Sequence, residues 1–154
     1  MTGADDIQMV SFRVGSQEFA FDILQVERIL RYEPPAPLPR APHFLEGIIA
    51  YAGDGVPVVD LRKRFDVPAA IREETRLMVL ALHDQRVAVL VDEVREVLRV
   101  DSTTITAPGP LVRGLAAEYI AGIITRPNRM IIVLNARRLL TSTERLALTS
   151  AGAA

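Results

Sequence analysis

The sequence predicts a mainly β protein in which one small five-stranded barrel occurs twice, with a short helix near the carboxyl end. Two observations lead to this fold class. Apolar and polar residues alternate over short stretches bounded by glycine, proline or asparagine, a pattern typical of half-buried strands. Similar segments also recur in the same order along the chain, which indicates a duplicated unit. Because a unit of about 70 residues buries a marginal core alone, we expect the two units to pack together.

The duplication appears at two offsets. A shift of 68 positions lays FAFDILQVERILRYE, residues 19–33, over VAVLVDEVREVLRVD, residues 87–101. A shift of 75 positions lays GIIAYAGDGVPVVDLRKRF, residues 47–65, over GIITRPNRMIIVLNARRLL, residues 122–140. The difference of seven residues between the two offsets places a longer loop within residues 101–115 of the second copy.

The first copy contains five stretches with strand-like alternation, at residues 9–14, 18–21, 28–32, 47–51 and 56–59. Gly15-Ser16 predicts the turn of a first hairpin, and the Gly-Asp-Gly of residues 53–55 predicts the turn of a second. Residues 23–26 predict a short helical turn between them. The proline-rich stretch 33–42 is expected to be an extended connection.

The second copy repeats this arrangement, with strands predicted at residues 77–82, 86–91, 96–100, 120–125 and 130–134. A helical turn is expected at residues 91–94, and hairpin turns are expected at residues 83–85 and 127–128. After the second copy, Thr141 and Glu144 have the spacing of a capping box, which predicts a helix through about residue 148.

Composition excludes several functional classes. The 18 basic and 19 acidic side chains leave a net charge of -1, so no overall field favours nucleic acid or anionic lipid. No apolar run reaches the roughly 18 residues that cross a bilayer, so we expect no direct membrane insertion. The chain has no cysteine, which removes disulfides and thiolate chemistry. The first residues, MTGADDIQ, lack the pattern of a secretory signal, so a cytoplasmic location is expected.

Groups that could carry a reaction are few. The two histidines, His43 and His83, each stand alone in a predicted loop or turn. Asp60 precedes a short basic stretch, where a helix N-cap is the expected role. An enzyme built on Asp60, Asp92 and His83 would require these side chains to converge. We therefore expect no catalytic residue, no metal site and no cofactor.

Two basic clusters occupy equivalent places in the two copies, Arg62-Lys63-Arg64 and Arg137-Arg138, and each follows an N-cap candidate, Asp60 or Asn135. A short solvated helix accounts for them better than nucleic-acid binding does, because an aromatic content of 5% offers no stacking platform.

The motifs DILQVERIL, PRAPHFLEGII, VPVVDLRKRF, AVLVDEVREVL, ITAPGP, EYIAGI and RMIIVLNARRLL follow one another along the chain. In this order and spacing the sequence resembles the CheW-like coupling proteins of bacterial chemotaxis. The resemblance implies a single domain over residues 8–148, made of two SH3-like barrels. We assign residues 8–66 to the first barrel and residues 75–140 to the second, and expect residues 1–7 and 149–154 to be flexible ends.

The resemblance also implies a non-enzymatic adaptor for signal transduction. Its partners would be the cytoplasmic tip of a methyl-accepting chemoreceptor and the regulatory domain of a CheA-type histidine kinase. Such a protein is cytoplasmic and is recruited to membrane receptor arrays through protein contacts. The alternatives are a CheW-like scaffold or small-molecule sensor in a pathway other than chemotaxis, and a competitor that keeps one partner only.

Partner-binding positions carry over from the resemblance in both copies. Val26 and Ile29 match the inter-barrel groove that holds the receptor tip, and Val94 and Val97 match partner-binding positions of the second barrel. Plain core packing is the alternative role for all four. Gly47 and Gly53 match glycines whose changes impair partner binding in the family, and the alternative for these two is a purely backbone requirement.

The hairpin between the two glycines departs from the family motif. That motif typically reads Gly-Val-Ile-Asn-Leu-Arg-Gly, whereas this sequence reads GIIAYAG from Gly47 to Gly53. The coupling arginine is therefore Ala52 and the asparagine is Ala50. Arg28 also stands where the family commonly has an acidic residue. Loss of an interfacial arginine and reversal of a charge both alter partner choice, so we expect an adaptor with changed specificity.

Overall fold

The computed structural model describes residues 6–83, 85–108 and 119–139, and these form a mainly β structure of two five-stranded sheets. The first copy supplies β1 Asp6–Val14, β2 Gln17–Asp22, β3 Val26–Arg31, β4 Leu45–Tyr51 and β5 Asp54–Asp60. The second copy supplies β6 Arg76–Ala81, β7 Arg86–Val91, β8 Glu93–Asp101, β9 Ile120–Arg126 and β10 Arg129–Leu134. The expected fold class is confirmed.

The two sheets exchange hairpins between the two copies. The first sheet has the strand order β8-β1-β2-β10-β9, and the second has the order β3-β6-β7-β5-β4. The first sheet therefore combines the β1–β2 hairpin of the first copy with three strands of the second copy. The second sheet combines the β6–β7 hairpin of the second copy with three strands of the first copy. The assignment of one barrel to residues 8–66 and the other to residues 75–140 is corrected by this order. A 3₁₀ turn at Ile23–Gln25 carries the chain from one sheet to the other.

Residues that pair across the parallel strands of one sheet are repeat-related to those that pair in the other sheet. In the parallel pair β2–β10 Ala20 lies opposite Val133, and in the parallel pair β7–β5 Ala88 lies opposite Val58. The offsets of 68 and 75 convert one pair into the other. Isolated bridges occupy similar places, since Ala36 pairs with Ile48 and Thr106 pairs with Ile123. The offset of 75 relates Ile48 to Ile123, whereas Ala36 and Thr106 lie 70 positions apart, in the region where the offset changes. Each bridge links the segment after one edge strand, β3 or β8, to the other edge strand of the same sheet.

Three apolar clusters hold the sheets. The first sheet has its own core, formed by Met9, Ala20, Leu98, Val100, Ile124, Ile131 and Val133. The second sheet has a matching core, formed by Ile49, Val56, Val58, Leu77, Val79, Ala88 and Leu90. A larger cluster, which includes Phe12, Phe21, Met78 and Val89, joins both sheets. The offset of 68 relates Val79 of the second core to Ser11. Ser11 is polar but buried, and its hydroxyl donates a hydrogen bond to the Glu96 carbonyl oxygen.

Local differences from the expected elements are small. The helical turn at Ile23–Gln25 is confirmed, but no helical turn follows β7, where Asp92 alone separates β7 from β8. The β4–β5 loop consists of residues 52–53, so the expected turn at residues 53–55 is shifted. β1 begins at Asp6, inside the stretch expected to be flexible.

Both expected N-caps are formed. The Asp60 side chain accepts a hydrogen bond from the Arg62 amide at the start of α1, Leu61–Arg64. Asn135 does the same for the Arg137 amide at the 3₁₀ turn Ala136–Arg138. Among the described residues no helix is long and apolar enough to cross a bilayer. The helix expected at residues 141–148 lies outside the described part of the chain, as do residues 149–154.

A buried ionic network ties the two sheets together. The Arg62 side chain, 2% exposed, donates from Nε to Oδ1 of Asp60 at 2.9 Å and from Nη2 to Oδ2 of Asp60 at 3.2 Å. Its Nη1 donates to Oδ1 of Asp92 at 3.0 Å. The other oxygen of Asp92 accepts from the Gly15 amide at 2.7 Å, in the β1–β2 turn. The sequence context of Arg62 predicts a solvated cluster. The structure instead buries its side chain between two carboxylates.

We expect Arg62→Met to lower the free energy of unfolding by about 3–5 kcal/mol, because it leaves the buried carboxylate of Asp60 and the largely buried carboxylate of Asp92 without their cation. Arg137→Met is the matched control, since Arg137 is the repeat-related arginine and is exposed. Urea denaturation of both variants measures the difference. Equal stability of the two variants would show that the network contributes nothing.

Candidate functional site

The partner-binding candidates on β3 and β8 occupy equivalent edges of the two sheets. β3 is an edge strand of the second sheet and β8 is an edge strand of the first. Val26 and Val94 are half-buried and pack against the cluster that joins the sheets. Ile29 and Val97 are instead 42% and 52% exposed. The structure therefore leaves one accessible apolar side chain on each edge.

A β-bulge lies between the two candidates on each edge. On β3 the register slips between Val26 and Arg28, and on β8 a residue is inserted opposite the Ser11–Phe12 step. The bulged residues are Glu27 and Arg95, which the offset of 68 relates. A bulge re-aims side chains and interrupts an edge, which makes uncontrolled strand pairing less favourable.

Gly47 is buried and has a structural requirement of its own. Its φ is +148°, and a Cβ atom there would lie 2.1 Å from the Ala36 carbonyl oxygen. That oxygen accepts the Ile48 amide in the bridge between the proline-rich connection and β4. The backbone requirement thus accounts for a glycine at this position.

The β4–β5 hairpin presents Ala52 and Gly53 to solvent. Their φ angles are +51° and +83°, and a two-residue type I′ hairpin loop requires positive φ angles at both residues. No atom lies within 4 Å of the Cβ that would be added at Gly53. The tip therefore carries no side chain larger than a methyl group at the place where the resemblance expects a guanidinium.

A polar cluster surrounds this hairpin, and sequence reasoning missed it. Arg86 donates from Nε to Glu27 at 3.0 Å and from Nη1 to Asp54 at 3.1 Å. The Tyr51 hydroxyl donates to Glu27 at 2.9 Å, and the Arg86 guanidinium lies 5.5 Å from the Tyr51 ring centroid. Hydrogen bonds from Arg86 and Tyr51 lower the pKa of Glu27, and the bond to Glu27 raises the pKa of Tyr51. The cluster joins β3, β4, β5 and β7 beside Ala52.

A second cluster occupies the repeat-related place on the first sheet. Arg129 makes a two-point ion pair with Glu18, one bond of which is 2.8 Å from Nε to Oε1. Arg129 also donates to Glu96 at 2.7 Å, and Arg95 lies 3.7 Å from Glu18. The hydrogen bond from Arg129 holds the pKa of Glu18 below its usual value, against the opposing effect of burial.

Four equivalent positions in or directly beside the two clusters carry opposite charges, with Arg28 next to Glu27 in sequence. Under the offsets of 68 and 75 the pairs are Glu18 and Arg86, Arg95 and Glu27, Glu96 and Arg28, and Arg129 and Asp54. The signal was present in the sequence, as opposite charges at aligned positions of the repeat. Reading it required the structure, because only the fold shows that these positions form one cluster on each sheet.

The groups considered for catalysis do not form a constellation with histidine. Asp60 and Asp92 do converge, but they converge on Arg62, which occupies their oxygens. His43 and His83 are exposed in loops. Within the described ranges, no three His, Asp or Glu side chains are placed to hold a metal ion.

The basic stretch after Asp60 also has local partners. Lys63 pairs with Glu46 at 2.6 Å, and the Arg64 guanidinium lies 4.7 Å from the Phe44 ring centroid. The expected solvated helix is thus wrong in detail, because all three side chains of Arg62-Lys63-Arg64 are used within the fold.

Two spaces near the junction of the sheets differ in size. A more open one, of about 240 Å³, is lined by Phe19, Arg64, Phe65, Asp66, Tyr119, Ile120, Ile132 and Leu134. An apolar space lined by Val59, Leu80, Leu82, Val87, Val89, Ala136 and Leu139 has a volume of about 10 Å³. This is about the size of one water molecule. In the described parts of the chain, this space does not support the sensor alternative.

These features define a duplicated β protein with two accessible sheet edges. The model of the CheW-like domain family matches residues 8–144, and the chain therefore belongs to that family. The chemotaxis protein CheW of Bacillus subtilis is 31% identical over 134 residues, covering 86% of this chain and 86% of the relative. The chemotaxis protein CheW of Treponema pallidum is 28% identical over 145 residues, covering 91% of this chain and 85% of the relative.

The fold is shared with a solved relative. The crystal structure of the scaffolding protein TtCheW from Thermoanaerobacter tengcongensis superposes with a TM-score of 0.82 at 27% identity. The superposition covers 94% of this chain and 91% of that one. A further relative, the protein FrzA of Myxococcus xanthus, is 32% identical over 114 residues, covering 73% of this chain and 71% of FrzA.

We expect Gly47→Ala to lower the free energy of unfolding by more than about 2 kcal/mol, because its methyl group would overlap the Ala36 carbonyl and strain the backbone. The control is Gly53→Ala, which meets no neighbour and is expected to cost about 1 kcal/mol for its positive φ alone. Denaturant titration compares the two. A loss at Gly47 no larger than that at Gly53 would contradict the close-approach argument.

The lowered pKa of Glu18 predicts a pH-dependent contribution to stability. Glu18→Gln should reduce the free energy of unfolding above about pH 4.3, the ordinary glutamate pKa, where the ion pair contributes fully. The difference from wild type should vanish as the pH falls through the lowered pKa of the folded state, since both states are then protonated. Thermal unfolding across this pH range, with exposed Glu74→Gln as the control, measures it. A difference that is independent of pH would exclude the ion pair as its source.

Proposed function

We propose that this protein is a chemotaxis adaptor that couples the cytoplasmic tip of a chemoreceptor to the regulatory domain of a CheA-type histidine kinase. The observation that carries the proposal is the similarity over 94% of the chain to a protein described as scaffolding, with both sheets present. The function is binding rather than catalysis, and it is exerted at membrane receptor arrays through protein contacts.

The duplicated fold suits a protein that holds two partners. Ile29 and Val97 are exposed on different sheets, at the edge strands β3 and β8. Two separate edges can be occupied at the same time, whereas a single groove would make the partners compete. The apolar cluster shared by the two sheets sets how the two edges are placed relative to each other, and defined placement is what coupling of one partner to another requires.

We further propose that Ala52 changes the partner specificity of this adaptor. The hairpin tip offers a methyl group, and the neighbouring guanidinium of Arg86 is engaged by Glu27 and Asp54. Arg86 therefore does not extend beyond the tip as an arginine at position 52 would. A partner that relies on a cation at the tip binds weakly, and a partner that accepts a small tip is favoured.

The experiment measures binding to the CheA regulatory domain and to a receptor-tip fragment of the same organism, each separately, by calorimetry. Wild-type protein is expected to bind both. Ala52→Arg is expected to change the affinity for one of them by at least about tenfold, the range of an interfacial arginine. Ala121→Arg, another exposed alanine on the other sheet, is the control and should change neither.

The outcomes separate the parts of the proposal. Failure of the wild type to bind either partner contradicts the adaptor function. Binding to both with no effect of Ala52→Arg contradicts the change of specificity and leaves the adaptor function standing. Binding to one partner, with the second recovered by the arginine, identifies a competitor that uncouples receptor from kinase.

A further inference from the structure

A pocket of about 290 Å³ opens where β3 ends and β6 begins, on the second sheet. We call it the arginine pocket, and its lining includes Arg31, Tyr32, Ile71, Arg72, Glu73 and Arg76. Among the described residues that line it, Glu73 is the only acid. The lining therefore carries more positive than negative charge, beside the exposed apolar side chain of Ile71.

Two of the three arginines are direct neighbours across the sheet. Arg31 lies opposite Arg76 in the antiparallel register of β3 and β6. Like charges in directly opposite positions of a sheet destabilise it. In the first sheet the offset of 68 places Gln8 opposite Arg99, so the equivalent pair has one charge only. The pair of like charges is thus a feature of this pocket and not of the duplicated fold.

The arginines of the pocket are not neutralised by carboxylates in the described part of the chain. The side chains of Arg31 and Arg72 form no hydrogen bond and no ion pair with the described residues. Arg76 donates from Nη1 to the main-chain carbonyl oxygens of Glu73 and Thr75, at 2.7 and 2.9 Å. These bonds hold the Arg76 guanidinium in place and leave its charge uncompensated.

Three glutamates are close to the pocket in sequence, namely Glu33, Glu73 and Glu74, and all three are exposed. Within the described ranges, none of them forms an ion pair with an arginine of the pocket. They reduce the field of the arginines at long range, because the charges are then balanced over this end of the sheet. The arginine pocket is therefore suited to an anion in direct contact rather than to attraction from a distance.

The rim of the pocket is a turn that the fold holds in place. The Arg72 amide donates to the Thr75 hydroxyl at 2.8 Å, and the Thr75 amide donates to the Arg72 carbonyl oxygen at 3.2 Å. Thr75 is 1% exposed, so the turn is anchored in the sheet. A pre-formed rim reduces the entropy that is lost when a ligand binds.

The arginine pocket continues the face of β3 that carries Ile29. Alternate residues of a strand share one face, so Ile29 and Arg31 lie on the same side of β3, about 7 Å apart along the strand. Ile29 is the exposed apolar side chain at this edge. A partner protein that covers Ile29 is therefore close enough to reach the arginines.

We propose that the arginine pocket binds an acidic segment of a partner protein, with carboxylates of that segment paired to Arg31 and Arg72. The planar fork of a guanidinium matches the two oxygens of a carboxylate. Ile71 at the rim adds an apolar contact of the kind that protein interfaces use. The inference rests on the proposed function in one respect, since the segment is assigned to the partner that contacts Ile29.

A protein segment fits the pocket better than nucleic acid does. The chain has a net charge of -1, so it provides no wider basic surface for a phosphate backbone. The aromatic ring in the lining is that of Tyr32, which is half-buried and packs against the core of the second sheet. It is therefore not free to stack on a base.

The first experiment titrates ¹⁵N-labelled protein with a hexaglutamate peptide at about 0.05 M salt and follows the amide signals by NMR. The amides of residues 31–32 and 71–76 are expected to shift together, with a dissociation constant of about 1 mM or below. Raising the salt to about 0.5 M should weaken the binding at least about threefold, because exposed charges are paired. Hexalysine is the control peptide and should shift none of these amides.

The test variant combines Arg31→Glu with Arg72→Glu. It should bind hexaglutamate at least about tenfold more weakly, because repulsion replaces attraction. The matched control combines Arg137→Glu with Arg138→Glu, which changes the charge equally at an exposed arginine pair outside the pocket, and it should bind as the wild type does. Thermal unfolding shows that both variants are folded, and the milder Arg72→Gln alone should weaken binding about threefold.

The second experiment measures binding of the same variants to the CheA regulatory domain and to the receptor-tip fragment by calorimetry. The test variant is expected to lose at least about tenfold in affinity for one of the two partners and to bind the other unchanged. The control variant should bind both partners as the wild type does. This result would assign the acidic segment to the partner whose binding is weakened.

The outcomes distinguish this proposal from the adaptor function. Absence of shifts at the pocket amides, or equal hexaglutamate affinity of the test and control variants, overturns the proposal. Larger shifts with inorganic phosphate or with a short single-stranded DNA, at equal concentration of negative charge, also overturn it. Unchanged affinity of the test variant for both partners overturns the assignment to a partner. Wild-type protein that binds neither partner contradicts the adaptor function, and the peptide titration then decides the proposal by itself.

Discussion

Neither half of this chain can complete a sheet without the other. The parallel pairs β2–β10 and β5–β7 join strands that are more than a hundred residues and about thirty residues apart, and each pair links the strands that the two copies contribute to one sheet. The large cluster between the sheets then follows, because the exchanged hairpins bring Phe12 and Phe21 against Met78 and Val89. The exchange places the two edges, β3 and β8, on sheets that share one apolar cluster.

Repeat-related residues have the same backbone position in the two copies, but the residues around them determine their burial and their interactions. Arg62 and Arg137 follow equivalent N-caps, yet Arg62 is buried between two carboxylates and Arg137 is exposed. The difference lies partly in Asp92, whose aligned position in the first copy is Leu24, 87% exposed. At the sheet edges the duplicated positions have kept their exposure and inverted their charge. A duplicated fold can in this way present two surfaces of one shape that bind different things.

The exposure of the candidate site residues was predictable only in part. Ile29 and Val97 are accessible as a partner contact requires, whereas Val26 and Val94 are half-buried and pack on the core, and alternation within a strand could not distinguish these two roles. The β-bulges at Glu27 and Arg95 shift the alternation by one residue, and a bulge has no clear signature in a short polar stretch. The ionic clusters escaped sequence reasoning because each collects residues from strands far apart in sequence, such as Glu18 and Arg129.

The sequence by itself determined the fold class, the duplication and the N-caps Asp60 and Asn135. It also determined that Ala52 replaces the arginine of the family motif. Local residue patterns and repeat offsets are sufficient to recognise all of these. The tertiary structure alone decided which strands share a sheet, that Arg62 is buried and that Gly47 meets the Ala36 carbonyl. The physical reason is that periodicity states which face of a strand is apolar but does not state which strand it pairs with. Strand pairing depends on the total apolar surface that the two copies bury together, and that area depends on the whole chain rather than on any local segment.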